Sequence, residues 1–274
     1  MVAELKHALR RSRGGVIGWS VALALYSLLM VVMFDPITEV EGLEELLLAY
    51  PPELMVFFGD MAQATTPVGF LDTWYFSYMP LIVGVFAIIA GANLLASDEE
   101  RGILDLLLAY PVSRTSFFWA RLLGFVLATA VILLVAWLSF AISSGGTKLD
   151  FTWLEFLWPF LSLFALMLAF GTLALLFSML LPAARLAAML SGAILVANFL
   201  LVGLAGLNQS LETTVKLTPF YYYQGGKAAS GLDWSWLAGL LALSLLFALA
   251  AWLIFLRRDI RVGGERSWRL PAMN

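Results

Sequence analysis

Six stretches of this 274-residue chain, each about twenty residues or longer, contain no Asp, Glu, Lys or Arg, and this feature narrows the possible folds most. They lie near residues 15–34, 73–97, 122–143, 156–181, 186–207 and 234–256. A hydrocarbon layer about 30 Å thick is crossed by about 20 apolar helical residues. Within lipid only helices and closed barrels satisfy their own backbone hydrogen bonds. Barrel strands would be about ten residues long and would alternate apolar with polar, whereas these stretches are continuously apolar, so the helical solution is the one they fit. The expected fold is an all-α membrane protein with six transmembrane helices in a single domain, residues 1–274. Charged residues make up 13% of the chain, against about a quarter in soluble domains, and a soluble globule is excluded.

Six crossings place both termini on one side, and positive residues are retained in the cytoplasm. Of the 16 Lys and Arg residues, all but Lys148, Lys216 and Lys227 fall on the terminus side, among them Lys6, Arg10, Arg11, Arg13, Arg101, Arg114, Arg121, Arg185 and Arg257. Both termini are therefore expected in the cytoplasm, with the chain multi-pass in the plasma or inner membrane. The loop holding Asp35, Glu39, Glu41, Glu44, Glu45, Glu53, Asp60 and Asp72 falls outside by the same rule. Trp74, Tyr75, Tyr78, Trp153, Trp158, Trp234 and Trp236 at outer ends, and Trp119 and Trp252 at inner ends, are expected as interface anchors.

Residues 1–14 set Val2, Leu5 and Leu9 at helical spacing, flanked by Lys6, Arg10, Arg11 and Arg13, as in a short elbow helix lying in the cytoplasmic interface. The outer loop from Leu43 to Phe58 reads as two amphipathic stretches interrupted by Pro51-Pro52. Before the last span, Pro219-Phe220-Tyr221-Tyr222-Tyr223 followed by Gly225-Gly226 reads either as a re-entrant or interface-lying segment or as a loop pinned by its Tyr rings. Asn93 and Asn198 are the notable polar groups within the spans. They line a substrate path or, in the commoner use of such groups, hydrogen-bond between helices.

The cytoplasmic loop between spans two and three, near residues 98–112, reads as a short helix. Asp98, Glu99 and Glu100 suit a positive helix start, Ile103, Leu104, Leu107 and Leu108 form an apolar face, and Pro111 forces a stop. Such a face lies on the lipid interface or docks into a groove of a partner protein. The ordered string Glu100, Gly102, Leu104, Leu107, Leu108, Pro111, Val112, Ser113 and Arg114 resembles the loop after the second span in the integral membrane permeases of ABC-2 type ABC transporters. Ile103 stands where that family usually has Thr. The resemblance runs along the whole chain, to the Arg-rich tail that begins Arg257-Arg258-Asp259-Ile260.

The resemblance implies that this loop is a coupling helix, with Glu99 and the residues of the string as its partner-binding set. It would seat in a separate ATP-hydrolysing subunit present in two copies. A second permease, most simply an identical one, would complete the transporter. ATP and Mg would belong to the partner subunit, with no cofactor bound by this chain. The sequence lacks Gly-x-x-x-x-Gly-Lys-Ser/Thr, so no phosphate loop is present here. No Cys and a single His, His7, exclude a disulfide framework, a thiolate zinc site, a Cys nucleophile and a His-rich metal cluster, so neither catalytic residues nor metal ligands are expected. The net charge of −3 argues against a nucleic-acid surface. The expected function is the permease half of an ATP-driven exporter. The alternatives are an ion-coupled secondary carrier, which intramembrane carboxylates would mark, and a non-transport membrane scaffold.

Overall fold

The computed structural model describes residues 2–43, 49, 51, 63–100, 102, 113–149 and 151–257. Among them, six helices are long and apolar enough to cross a membrane. We label them α1 (Val2–Thr38), α2 (Met79–Glu100), α3 (Arg114–Ser143), α4 (Trp153–Leu180), α5 (Ala184–Ala205) and α6 (Trp234–Arg257).

Three of them, α3, α4 and α6, start at side chains that accept from otherwise unpaired backbone N–H groups. Ser113 Oγ accepts from Ser116 N at 3.2 Å to open α3. Thr152 and Glu155 form a reciprocal capping box at the start of α4. Asp233 Oδ1 accepts from Ser235 N at 2.8 Å and from Trp236 N at 3.3 Å ahead of α6. These bonds, led by that from the Ser235 hydroxyl, hold the Asp233 carboxyl below its ordinary pKa of 3.8.

Helix α4 is the centre of the bundle, packed against α2, α3, α5 and α6. Leu163, Ala165, Leu166, Met167 and Phe170 on it are buried. The α2–α4 crossing exists because both helices present glycine there: a Cβ on Gly91 would lie 2.0 Å from the Gly171 carbonyl oxygen. A Cβ on Gly171 would lie 2.2 Å from the ring of Phe125 on α3. In lipid, where apolar side chains gain little by leaving the solvent, such close backbone approach supplies the packing contacts. Helix α1 runs parallel to α3 along the flank: Ala8 abuts Gly124, Ser139 Oγ donates to the Ala24 carbonyl at 2.8 Å, and Lys148 N donates to Asp35 at 3.1 Å.

Three expectations change. The basic segment 2–14 is not set off from the first span by a turn, because α1 is one helix of 37 residues. A Cβ on Gly14 or Gly15 would meet nothing within 4 Å and the helix runs on through both, while the Ala8–Gly124 contact holds the first turns against α3. The second spanning helix begins at Met79, later than residue 73. Leu71–Phe76 forms a π-helical segment in which Ser77 N donates to the Asp72 carbonyl at 2.9 Å. Pro80 supplies no N–H to continue an α ladder back through this stretch. Tyr75 is fully buried, not an interface anchor. Its hydroxyl shares a hydrogen bond with Ser27 at 2.8 Å, and its ring meets Phe140 edge-on at 5.4 Å. Residues 219–230 include two 3-10 turns: Pro219–Tyr222 packs mainly against α5 and α6, and Gly225–Ser230 against the π segment and α4. Tyr223 Oη donates to the Phe76 carbonyl at 3.0 Å and Gly226 N donates to Asp72 Oδ1 at 2.9 Å, contacts that fix the segment against the start of the second span.

The other aromatics pair at two levels. Trp137 with Trp153, Trp158 with Trp234, and Tyr221 and Tyr222 with Trp236 gather at one end of the bundle, and Trp119 with Trp252 at the other. The amphipathic reading of Leu43–Phe58 lies, beyond residue 43 and apart from residues 49 and 51, outside the described residues.

Candidate coupling site at the basic end of the bundle

Helices α1, α3 and α5 begin, and α2, α4 and α6 end, at the same end of the bundle, which carries most of the positive charge. There α2 closes with Ser97-Asp98-Glu99-Glu100. The acids at 98–100 thus occupy the last turn of α2 and do not open a new helix. Gly102 follows with φ +67°, the left-handed conformation that ends helices and that glycine adopts without strain. The core of the expected coupling helix, including Ile103, Leu104, Leu107, Leu108, Pro111 and Val112, lies outside the described residues. Its two ends are described. Ser113 is the N-cap of α3, and Arg114 is the first residue of that helix.

An acid in the last turn of a helix faces the negative end of the helix dipole and needs compensation. Asp98 has it twice. Its side chain is 0% exposed and lies between two guanidinium groups, Arg11 from α1 on Oδ1 and Arg121 from α3 on Oδ2 at 2.8 Å. Arg11 also donates to Ser97 Oγ at 2.9 Å. The Arg121 side chain is 4% exposed, and its guanidinium carbon sits 5.0 Å from the centroid of the Phe117 ring, a cation–π contact. Three helices are therefore joined by one buried carboxylate one turn before the loop begins.

A second tie comes from Glu100, whose Oε1 accepts from Ala184 N at 2.8 Å. Helix α5 has Ala183 at its N-cap and no side-chain cap of its own, so a carboxylate from α2 caps it from outside, where the helix dipole favours negative charge. Within six residues the end of α2 is thus fastened to α1, α3 and α5.

Sequence reasoning singled out Glu100 and Gly102 but placed Arg11 and Arg121 only among the flanking positive charges, and read Asp98 as part of a helix start. The available signal was a carboxylate directly abutting the C-terminal edge of one apolar stretch, the first of three acids in a row, while Arg121 immediately precedes the next stretch.

The two amides do not share a site. Asn93 lies on an exposed face of α2 and donates to the Ile89 carbonyl at 2.8 Å; Asn198, half-buried on α5, donates to the Ile194 carbonyl at 2.8 Å. With α2 and α5 antiparallel and Gly84 against Leu195, the 1.5 Å rise per residue separates the two amides by about 18 Å along the bundle. Each spends its donor on its own helix.

Compared with known proteins, the chain matches the family model described as ABC-2 family transporter protein over residues 4–260, nearly its whole length. A search of the curated proteins found no match.

Proposed function

Because the chain belongs to the ABC-2 transporter family, we propose that it is the membrane-spanning permease half of an ATP-driven exporter, moved by ATP hydrolysis in a separate subunit. Membership implies a membrane setting and pairing with an ATP-binding subunit. The reading extends this to two such subunits that bind ATP and Mg, a second identical permease, and a plasma or inner membrane with both termini cytoplasmic. The residue string at 99–114 docks on the partner, with Leu104, Leu107 and Leu108 as its apolar anchors.

The observation that carries the reading is the fastening of the segment's flanks. A ligand shifts a two-state equilibrium only by its differential affinity for the two states, so ATP bound elsewhere must act on this chain through contact. A docking segment on a loose loop would absorb that displacement. Here the residue before it is clamped to α1 and α3 through Asp98, Glu100 holds the start of α5, and Ser113 and Arg114 lead directly into α3. Displacement of the segment is delivered to four helices, α1, α2, α3 and α5, at once, and closure of two ATP-binding subunits would draw two such clamps together and reopen the bundle at its far end.

Replacing Leu107 or Leu108 by Glu tests this. The variant should insert normally and lose co-purification with the ATP-binding subunit, and unchanged complex and transport would overturn the docking role.

A further inference from the structure

The outward face of α1 changes character along a single stripe. Lys6, Arg10 and Arg13 follow one another at spacings of four and three, and the same stripe continues through Ile17, Val21 and Leu28. All six side chains are exposed, Ile17 by 61%, Val21 by 52% and Leu28 by 43%. The cationic portion borders a shallow groove whose other walls are Leu5 and Leu9. Among the described residues, Lys6, Arg10 and Arg13 make no ion pair, in contrast to Arg11, which is committed to Asp98. The acid of this segment, Glu4, lies close enough to Arg121 to act on it electrostatically.

We propose that this stripe is a binding site for an anionic phospholipid, with the phosphate on Lys6, Arg10 and Arg13 and an acyl chain along Ile17, Val21 and Leu28. Charge and length both match. Ile17 to Leu28 spans about 16 Å of helix, close to the depth of one leaflet of a hydrocarbon core about 30 Å thick. The three cations lie one to three turns before it, where headgroups sit. Because Ala8 and Leu5 pack on Gly124 of α3, these cations are held against the bundle instead of trailing into water. A water-soluble partner would have no use for the apolar continuation. A second copy would bring its own excess of positive charge at this end and repel. Basic clusters at such positions bind anionic headgroups, each cation contributing about fivefold near the surface.

The site is independent of ATP coupling, so the test uses the purified full-length permease without any ATP-binding subunit. After delipidation, phosphatidylglycerol and phosphatidylcholine of identical acyl chains are titrated and bound lipid is counted by native mass spectrometry, with inorganic phosphate and glycerophosphate as competitors. Phosphatidylglycerol should be preferred. Arg10→Gln should weaken that preference about fivefold, and Lys6→Gln, Arg10→Gln and Arg13→Gln together roughly a hundredfold, following the per-cation factor. The charge-preserving set Lys6→Arg, Arg10→Lys and Arg13→Lys should retain it, and the single Arg10→Gln variant decides the matter if the triple variant fails to insert. Equal binding of the two lipids, or an undiminished preference in Arg10→Gln, overturns the site. Saturation by free phosphate as tightly as by the lipid overturns the lipid assignment. So does a triple variant that inserts and keeps its lipid preference.

Discussion

Removing the carboxylate of Asp98 is the most informative single perturbation of the basic end. In Asp98→Ala the Arg121 guanidinium, 4% exposed and with its Nε lacking a hydrogen-bond partner among the described residues, would remain buried without an ion-pair partner, under only the weaker field of Glu4. Breaking a buried pair in this way costs about 3–5 kcal/mol. The Arg11 arm adds less. Its side chain is 33% exposed, so solvent screening limits that pair to about 1 kcal/mol or below. The two contributions separate in a double-mutant cycle. Asp98→Ala combined with Arg121→Met removes both buried charges and leaves Arg11 free to turn toward water. Since an apolar replacement of a buried ion pair is commonly neutral or better, the double variant should recover to within about 1–2 kcal/mol of the parent.

Equilibrium unfolding in mixed micelles, read by intrinsic fluorescence of the ten Trp residues, measures each corner of the cycle. The expected order is parent, double variant, then Asp98→Ala, with an interaction energy of at least about 2 kcal/mol between positions 98 and 121, as for residues sharing one network. If Asp98→Ala unfolds within about 0.5 kcal/mol of the parent, the range of ordinary surface substitutions, the carboxylate is not holding three helices together. A double variant no more stable than Asp98→Ala would refute the reasoning as directly, since the loss would then not come from an abandoned guanidinium.

Other substitutions test the rest of the arrangement. Gly91→Ala places a Cβ 2.0 Å from the Gly171 carbonyl oxygen and should cost about 1–3 kcal/mol or more by forcing α2 from α4, whereas Gly192→Ala, with nothing within 4 Å, should change the unfolding midpoint little. Glu100→Ala uncaps α5 at Ala184 and should destabilise by about 1 kcal/mol. In vesicles carrying the complete transporter it should lower transport per ATP hydrolysed; unchanged transport per ATP would separate this cap from coupling. The Asp233 carboxyl has a depressed pKa, so its capping contribution is present above the ordinary value of 3.8 and is lost as pH falls through the lowered folded value. Amide exchange of Ser235 and Trp236 should therefore accelerate selectively in acid, and Asp233→Asn should flatten that dependence.

The two halves of this structure differ in how far the sequence discloses them, and the difference has a physical cause. The spans are legible because lipid imposes a one-dimensional rule, about twenty consecutive residues without charge, that needs no knowledge of neighbours. All six fall on observed helices, and the departures occur where a local backbone detail intervenes, as at the π segment before Pro80 or the unbroken run through Gly14 and Gly15. The Asp98 cluster follows a three-dimensional rule. Its members stand 87 and 23 residues apart, and each has an adequate explanation by itself, Arg11 and Arg121 as retained positive charges and Asp98 as a favourable helix start. Only where α2 ends distinguishes the two readings of Asp98. With α2 continuing to Glu100, the acid lies at the unfavourable end of a dipole, and its pairing with two arginines becomes a requirement instead of a coincidence. The same shift of boundary explains Gly102. In a helix beginning at Asp98 a glycine would only weaken the second turn, but after a helix ending at Glu100 it supplies the left-handed turn. A resemblance carried by leucines thus also contains, in Glu100, Gly102 and Ser113, the cap of α5, the terminator of α2 and the cap of α3, which set where that segment begins and ends.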